Sequence, residues 1–314
     1  MSRTFSVVML FAVFMALAGG QAEAVQRAHV SAAFGLDSNT AFNCDAARPC
    51  RFFQAATTVV DPNGELVVLD SGGYGAVTIS QSIALVAPTG VYAGISVFPG
   101  GAGITVATPG VNVVLRGLTI NSQGGTAGIS MTAGASLSVE NCVVANFSGA
   151  SQNGIFIGTT AKVRIIDTLL RGNEYGLYLE GAPVVVVSRA TILDSGTAGI
   201  WVNGGTSNTT TTAAISDTTI SRTVNAGLVA TSVSANANIR VSIIRSTFTN
   251  GAYGIISDAG GGTSVLTISE SMVTGNGFGL FQSGTGATLE SVANNTVRQN
   301  GLNTAGTITT VPLL

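Results

Sequence analysis

Between Lys162 and Leu179 the chain reads KVRIIDTLLRGNEYGLYL, and nearly everything from Val113 to Val297 is that phrase rewritten. Val163 and Ile165 are two residues apart, so their side chains share one face of a strand. Asp167-Thr168 interrupts the run, and Leu170 is the next apolar anchor. Arg171-Gly172-Asn173 reads as a turn, because Gly and Asn tolerate the left-handed backbone that turns need. Gly176 then opens a second strand whose leucines, Leu177 and Leu179, point the same way.

Aligned on Leu170, the equivalents are Ile120, Val144, Ile192, Ile220, Phe248, Val273 and Val297, at steps of 22 to 28 residues. Five positions earlier stand Leu115, Val139, Ile165, Val187, Ile215, Ile243, Ile268 and Val292, all aliphatic. After seven anchors comes Gly followed by Ile or Leu, at 128, 154, 176, 199, 227, 254 and 279. A period in the twenties, with strands too short to fold alone, marks a solenoid. A β-sandwich of regular hairpins would not hold eight aliphatic residues in one column at a drifting spacing. Each coil reads as three short strands, and going round the cylinder supplies the crossover that parallel strands require. The crossover rule favours the right-handed sense.

The chain opens with Arg3, an apolar run from Val7 to Leu17 and Ala22-Glu23-Ala24, the pattern of a signal peptide cleaved after Ala24. The run is too short to span a bilayer comfortably. The expected product is soluble and exported, either secreted or periplasmic, with no membrane span. Net charge is −2, so nothing points to nucleic acid. The sequence calls for no cofactor and no metal; its single histidine, His29, is remote from the paired cysteines. Export favours a disulfide between Cys44 and Cys50 in CDAARPC. Cys142 falls in a small, inward column with Thr168, Ala190, Thr218 and Ser246, which suits a buried free thiol.

Three segments follow: 1–24, the signal peptide; 25–64, an N-terminal loop and capping helix; and 65–314, the solenoid. Arg51–Val60 spaces Phe52, Phe53, Ala56 and Val60 as a short amphipathic helix, stopped by Asp61-Pro62-Asn63-Gly64. Such a helix would cover the open apolar end of the first coil. Gly205–Thr212 reads as a protruding Ser/Asn/Thr loop. In the final residues, Gly306 to Leu314, Ile308 and Val311 suit part of one more strand ended by Pro312, and the end reads either as a lid folded over the last coil or as one that a second subunit covers.

The segment NCDAARPCRFFQAATTVV, followed by GELVVLDSGGYGAVTI and LRGLTI, resembles exported bacterial β-helix proteins of the pectate lyase-like superfamily. The resemblance covers roughly residues 42–297. It implies an all-β, right-handed parallel β-helix of three-strand coils with a short N-terminal capping helix. Activity is not implied, since that superfamily holds lyases, hydrolases, epimerases and non-enzymatic adhesins.

In the family, the Gly-Ile strand floors the polysaccharide groove. Its outward residues here are Ser130, Phe156, Tyr178, Trp201, Val229, Ile256 and Phe281. Aromatic faces on a flat sheet stack on sugar rings, which makes Phe156, Tyr178, Trp201 and Phe281 the candidate ligand-binding residues. The same strip would also suit a protein interface, or could lie beneath a loop or the C-terminal tail. Nearby carboxylates are Glu174, Glu180, Asp194 and Asp258, with Arg171 in the same coil as the two glutamates. Glu174, Glu180 and Arg171 are weak catalytic candidates, because the family's Gly-His-Gly signature and Asp-rich calcium cluster are both missing. In the bend before each anchor, Asp167, Arg189, Asp217, Arg245 and Glu270 alternate in sign, as a register-fixing ladder would. The functional expectation is an exported, non-catalytic protein that binds a glycan or cell-surface partner. A polysaccharide lyase with a degenerate site and a structural adhesin or envelope spacer are the alternatives.

Overall fold

The computed structural model describes residues 25–313. The expected signal peptide, residues 1–24, and Leu314 lie outside them. The chain winds into a three-sided parallel β-solenoid. Sheet I has 12 strands and includes Lys162–Ile166. Sheet II has 10 and includes Leu169–Arg171. Sheet III also has 10 and includes Tyr175–Glu180.

The columns read from the sequence are the pairing register. Leu115, Val139, Ile165, Val187, Ile215, Ile243 and Ile268 stack coil on coil in sheet I. All seven are at most 2% exposed, and they belong to one apolar core running the length of the cylinder. Val292 breaks the column: Ser291 pairs with Ile268, and Leu289 carries the core position below Leu266. The last coil carries one extra residue between Ser291 and Val297, so Val292 falls one position out of the column while Leu289 keeps the inward facing.

In seven successive coils the bend from sheet I to sheet II has one geometry. Gly117, Asn141, Asp167, Arg189, Asp217, Arg245 and Glu270 all have φ between 47° and 74°. For a non-glycine residue that region costs about 1–2 kcal/mol. Each bend N–H but the last donates to a backbone carbonyl of the next coil, as Asp167 does to Ser188 at 3.1 Å, and that of Glu270 donates to Asn294 Oδ1 at 3.0 Å. The following residue points inward and builds a hydroxyl ladder. Thr218 Oγ1 donates to the Ser216 carbonyl at 2.9 Å, and its N–H donates to Ser246 Oγ at 3.2 Å. Cys142 occupies this column as a free thiol, 1% exposed, and burial pushes its pKa up to about 11.

The charged ladder is less continuous than its sequence suggests. Arg189 binds Asp167 at 2.7 and 2.8 Å, and Arg245 binds Asp217 at 2.8 and 3.1 Å. These are two separate pairs, each arginine reaching back to the preceding coil. A third pair, Arg222 with Asp194 at 2.7 Å, sits in the next bend, between sheets II and III.

Three other expectations change. The helix over Arg51–Val60 shrinks to one turn, Phe53–Ala56, because the Thr57 and Thr58 hydroxyls bond back to the Gln54 and Ala55 carbonyls. Such local bonds compete with helix propagation. The supposed loop Val25–Pro49 supplies the first strand of sheet I, Arg27–Val30, paired with Gly64–Val68. In Gly205–Thr212, strand begins at Thr210, and Thr211 is buried. The Cys44–Cys50 disulfide is present, with both cysteines fully buried.

At the far end, Leu302–Ala305 and Ile308–Val311 extend sheets III and I. These residues form another coil instead of a lid, and they leave the outer face of sheet III uncrossed. Leu302 is 54% exposed and Leu313 65%.

Candidate functional site

Sheet III presents the aromatic strip. Its register aligns Ser130, Phe156, Tyr178, Trp201, Val229, Ile256 and Phe281. Alternation places them outside: Ile200 and Val202 are fully buried, while Trp201 between them is partly exposed. The preceding glycine column has a packing cause. A Cβ on Gly199 would lie 2.5 Å from the Ile220 side chain and 2.7 Å from the Gly227 carbonyl oxygen. Only glycine lets the chain turn into sheet III there.

A second aromatic column stands beside the first: Tyr175, Tyr253 and Phe278, each the residue before a Gly-Leu or Gly-Ile pair. The sequence reading passed over them as turn residues, although the Tyr-Gly and Phe-Gly dipeptides mark the column. Tyr175 meets Tyr178 and Trp201 edge-on, with centroids 5.2 and 5.7 Å away, while Tyr178 and Trp201 lie near parallel at 6.3 Å. Phe156 leans over Gly158, where a Cβ would come within 2.7 Å of its ring. A second group joins Tyr253, Phe278 and Phe281 at 4.9 to 5.9 Å. Between the groups lies a low apolar saddle of Ala198, Ala226, Val229 and Ile256.

Two residues further along each strand runs a polar column, Glu180, Asn203, Thr231, Asp258 and Ser283. Asn203 Nδ2 donates to the Tyr178 hydroxyl at 3.0 Å and approaches Glu180 at 3.5 Å. Burial, with the Glu180 charge behind it, raises the Tyr178 pKa. Thr231 Oγ1 donates to Asp258 at 3.2 Å.

The catalytic candidates are dispersed. Arg171 is exposed on sheet II, across the bend from the strip. Glu174 precedes the strand Tyr175–Glu180 and accepts from the Thr197 hydroxyl, while Glu180 closes it. Six extended residues separate the two glutamates by about 20 Å. Asp194 is taken by Arg222, whose hydrogen bond lowers its pKa. Glu180 and Asp258 share a column three coils apart, about 14 Å at ~4.8 Å per coil. The carboxylate pairs of glycoside hydrolases stand about 5–9.5 Å apart. Among the described residues no group of three or more His, Cys, Asp or Glu side chains converges.

Residues 102–266 match the family model described as the right handed beta helix region. The chain belongs to the right-handed β-helix family. The matched span runs from the second strand of this β-helix's sheet III, Ala102–Val106, into the sheet I strand Thr263–Ser269, and so contains both Tyr178 and Trp201. Among solved structures, the β-helix is similar to the pectate lyase Pel9A, with a TM-score of 0.52 and 13% identity over 91% of this chain and 78% of that one. It is also similar to the GH136 lacto-N-biosidase from Eubacterium ramulus, with a TM-score of 0.57 and 10% identity over 91% of this chain and 68% of that one. At such identities the likeness is one of fold. No curated protein matches the sequence. No helix among the described residues of the β-helix is long and apolar enough to cross a membrane.

Proposed function

We propose that this β-helix is an exported protein that binds a neutral glycan on sheet III without cleaving it. The observation that carries the reading is the aromatic run Phe156, Tyr178 and Trp201, set on consecutive coils beside a polar column that can take sugar hydroxyls. Rings of this kind bury sugar CH groups, and Asn203, Thr231 and Asp258 offer both donors and acceptors. The strip holds carboxylates but no lysine or arginine, so it suits an uncharged ligand better than an acidic one. Likeness of fold to a pectate lyase and a lacto-N-biosidase makes a saccharide the first class to try. Binding ranks ahead of hydrolase action because the carboxylates are too widely spaced for a two-carboxylate mechanism, and ahead of cation-assisted lyase action because no acidic cluster converges among the described residues.

The chain has a single tryptophan, and it is Trp201. Its intrinsic fluorescence therefore reports on the strip alone. A neutral-glycan array followed by fluorescence titration of the hits tests the reading. Saturable quenching or a blue shift supports it. An array with no neutral hits overturns it, and release of new reducing ends or unsaturated uronates would install the enzyme alternative.

A further inference from the structure

We infer that the outer face of sheet I is a second binding surface, built for an acidic polysaccharide. Four consecutive strands form it: Lys162–Ile166, Val184–Ser188, Thr210–Ser216 and Asn238–Ile244. Together they contain no Asp or Glu. Outward from them stand Lys162, Arg164 and Arg240, all exposed, and none makes an ion pair among the described residues. The register puts Lys162, Val184, Thr212 and Arg240 in one column. The two ends of that column are about 14 Å apart at ~4.8 Å per coil.

Between the cations the surface is apolar. Val184 is 51% exposed and Val186 42%, unusual for valines on a sheet face. Beside Val186 the small residues Ala214 and Ser242 leave a shallow hollow of about 270 Å³, floored mainly by apolar atoms. The nearest acids are engaged elsewhere. Glu140 is held by Arg116 at 2.7 Å, Glu290 takes the Thr267 hydroxyl at 2.8 Å, and Asp167 and Asp217 are gripped by Arg189 and Arg245.

This arrangement chooses among occupants. A second copy laid antiparallel on this face would set Lys162 of one molecule against Arg240 of the other, with no acid to relieve the repulsion. A neutral chain would leave three cations unanswered. An acidic polysaccharide satisfies both features: CH faces cover Val184 and Val186, while carboxylates or sulfates at intervals meet Lys162, Arg164 and Arg240. The surface lies on a different side of the cylinder from the aromatic strip, so one molecule can hold a neutral and an acidic chain together.

The test is binding of the full mature chain to polygalacturonate, at low and high salt, with dextran and polyaspartate as comparisons. Salt-sensitive binding to polygalacturonate is expected. The double variant R164E/R240E should weaken it by about tenfold or more, the scale of ~1.4 kcal/mol. Trp201→Ala should leave it unchanged, which separates this surface from the one on sheet III. All three residues are exposed, and an unchanged melting curve for the double variant confirms its fold. Equal affinity of wild type and double variant overturns the inference. So does polyaspartate binding as tightly as polygalacturonate, because the apolar hollow would then contribute nothing. A dimer in sedimentation that R164E/R240E tightens would overturn it in favour of a second copy.

Discussion

The Asn203 side-chain amide donates to the Tyr178 hydroxyl at 3.0 Å, reaching across from one coil of sheet III to its neighbour. It fixes the direction in which the Tyr178 ring lies, between Phe156 and Trp201. Asn203→Ala removes one hydrogen bond, worth about 1 kcal/mol, from a partly exposed site. The expected result is weaker glycan binding in the Trp201 fluorescence titration, with a melting temperature close to wild type. Unchanged affinity would mean that Tyr178 is positioned by packing alone.

Neighbouring residues on the same strand should behave in opposite ways. Ile200 is fully buried, so Ile200→Ala should cost ~2–5 kcal/mol of stability. Trp201→Ala should lower stability less and abolish the binding response of sheet III. Denaturant titration of both variants decides this, and equal losses would place Trp201 in the structural core.

At the first bend, backbone conformation should matter more than charge. Arg245 has φ 47° and a half-exposed ion pair with Asp217. Exposed pairs contribute about 0–1 kcal/mol. Arg245→Asn keeps a residue that tolerates the left-handed region, so it should stay within a few tenths of a kcal/mol of wild type. Arg245→Val forces a β-branched residue into that region, where such residues are genuine outliers, and should cost clearly more stability than Arg245→Asn. If Asn proves as harmful as Val, the ion pair outweighs the backbone.

Asp70 should make the N-terminal coil sensitive to acid. Burial alone would raise its pKa, but hydrogen bonds from Ser31 Oγ, the Tyr74 hydroxyl and the Ala32 and Ala33 amides outweigh that and bring it down to about 2. A depressed folded-state pKa gives stability that is complete above the unfolded value, about 3.9, and fades as pH falls towards 2. The melting temperature of wild type should exceed that of Asp70→Asn by a constant margin above pH ~5. That margin should close between about pH 4 and 2. A margin independent of pH would show that the carboxylate charge is not what holds Ser31 to Ala33.

The interior was legible because it repeats. Seven of the eight aliphatic residues five positions before the anchors stack as their spacing implies, and Val292 fails because nothing in its local sequence records the one extra residue of the last coil. The outward strip was legible for the same reason, since alternation fixes the facing of Trp201 once Ile200 is known to be inside. Tyr175, Tyr253 and Phe278 were missed because a residue at the start of a strand looks like part of the turn before it. The Asp194–Arg222 pair was missed because the second bend comes at no fixed distance from the strand that follows it. The helix at Arg51–Val60 was overcalled because apolar spacing says nothing of two threonine hydroxyls that cap the chain on itself.

The constant left-handed bend has an architectural result. From Leu115 and Ile120 to Ile268 and Val273, the path from sheet I to sheet II always takes five residues. Elsewhere it is longer: ten residues lead from Leu85 to Ile95, and six from Ser291 to Val297. The other two corners do vary: 6 to 10 residues separate each anchor from the following glycine, and 8 to 13 lead from residues such as Ile155 to the next core residue of sheet I. Over the seven coils with the five-residue path, sheet III is bordered by both variable corners, whereas sheets I and II each abut the constant one. Walls can therefore rise on two sides of sheet III while the coils beneath keep their stacking. Across those seven coils, it is the face on which a trench can be deepened, widened or re-lined without refolding the protein.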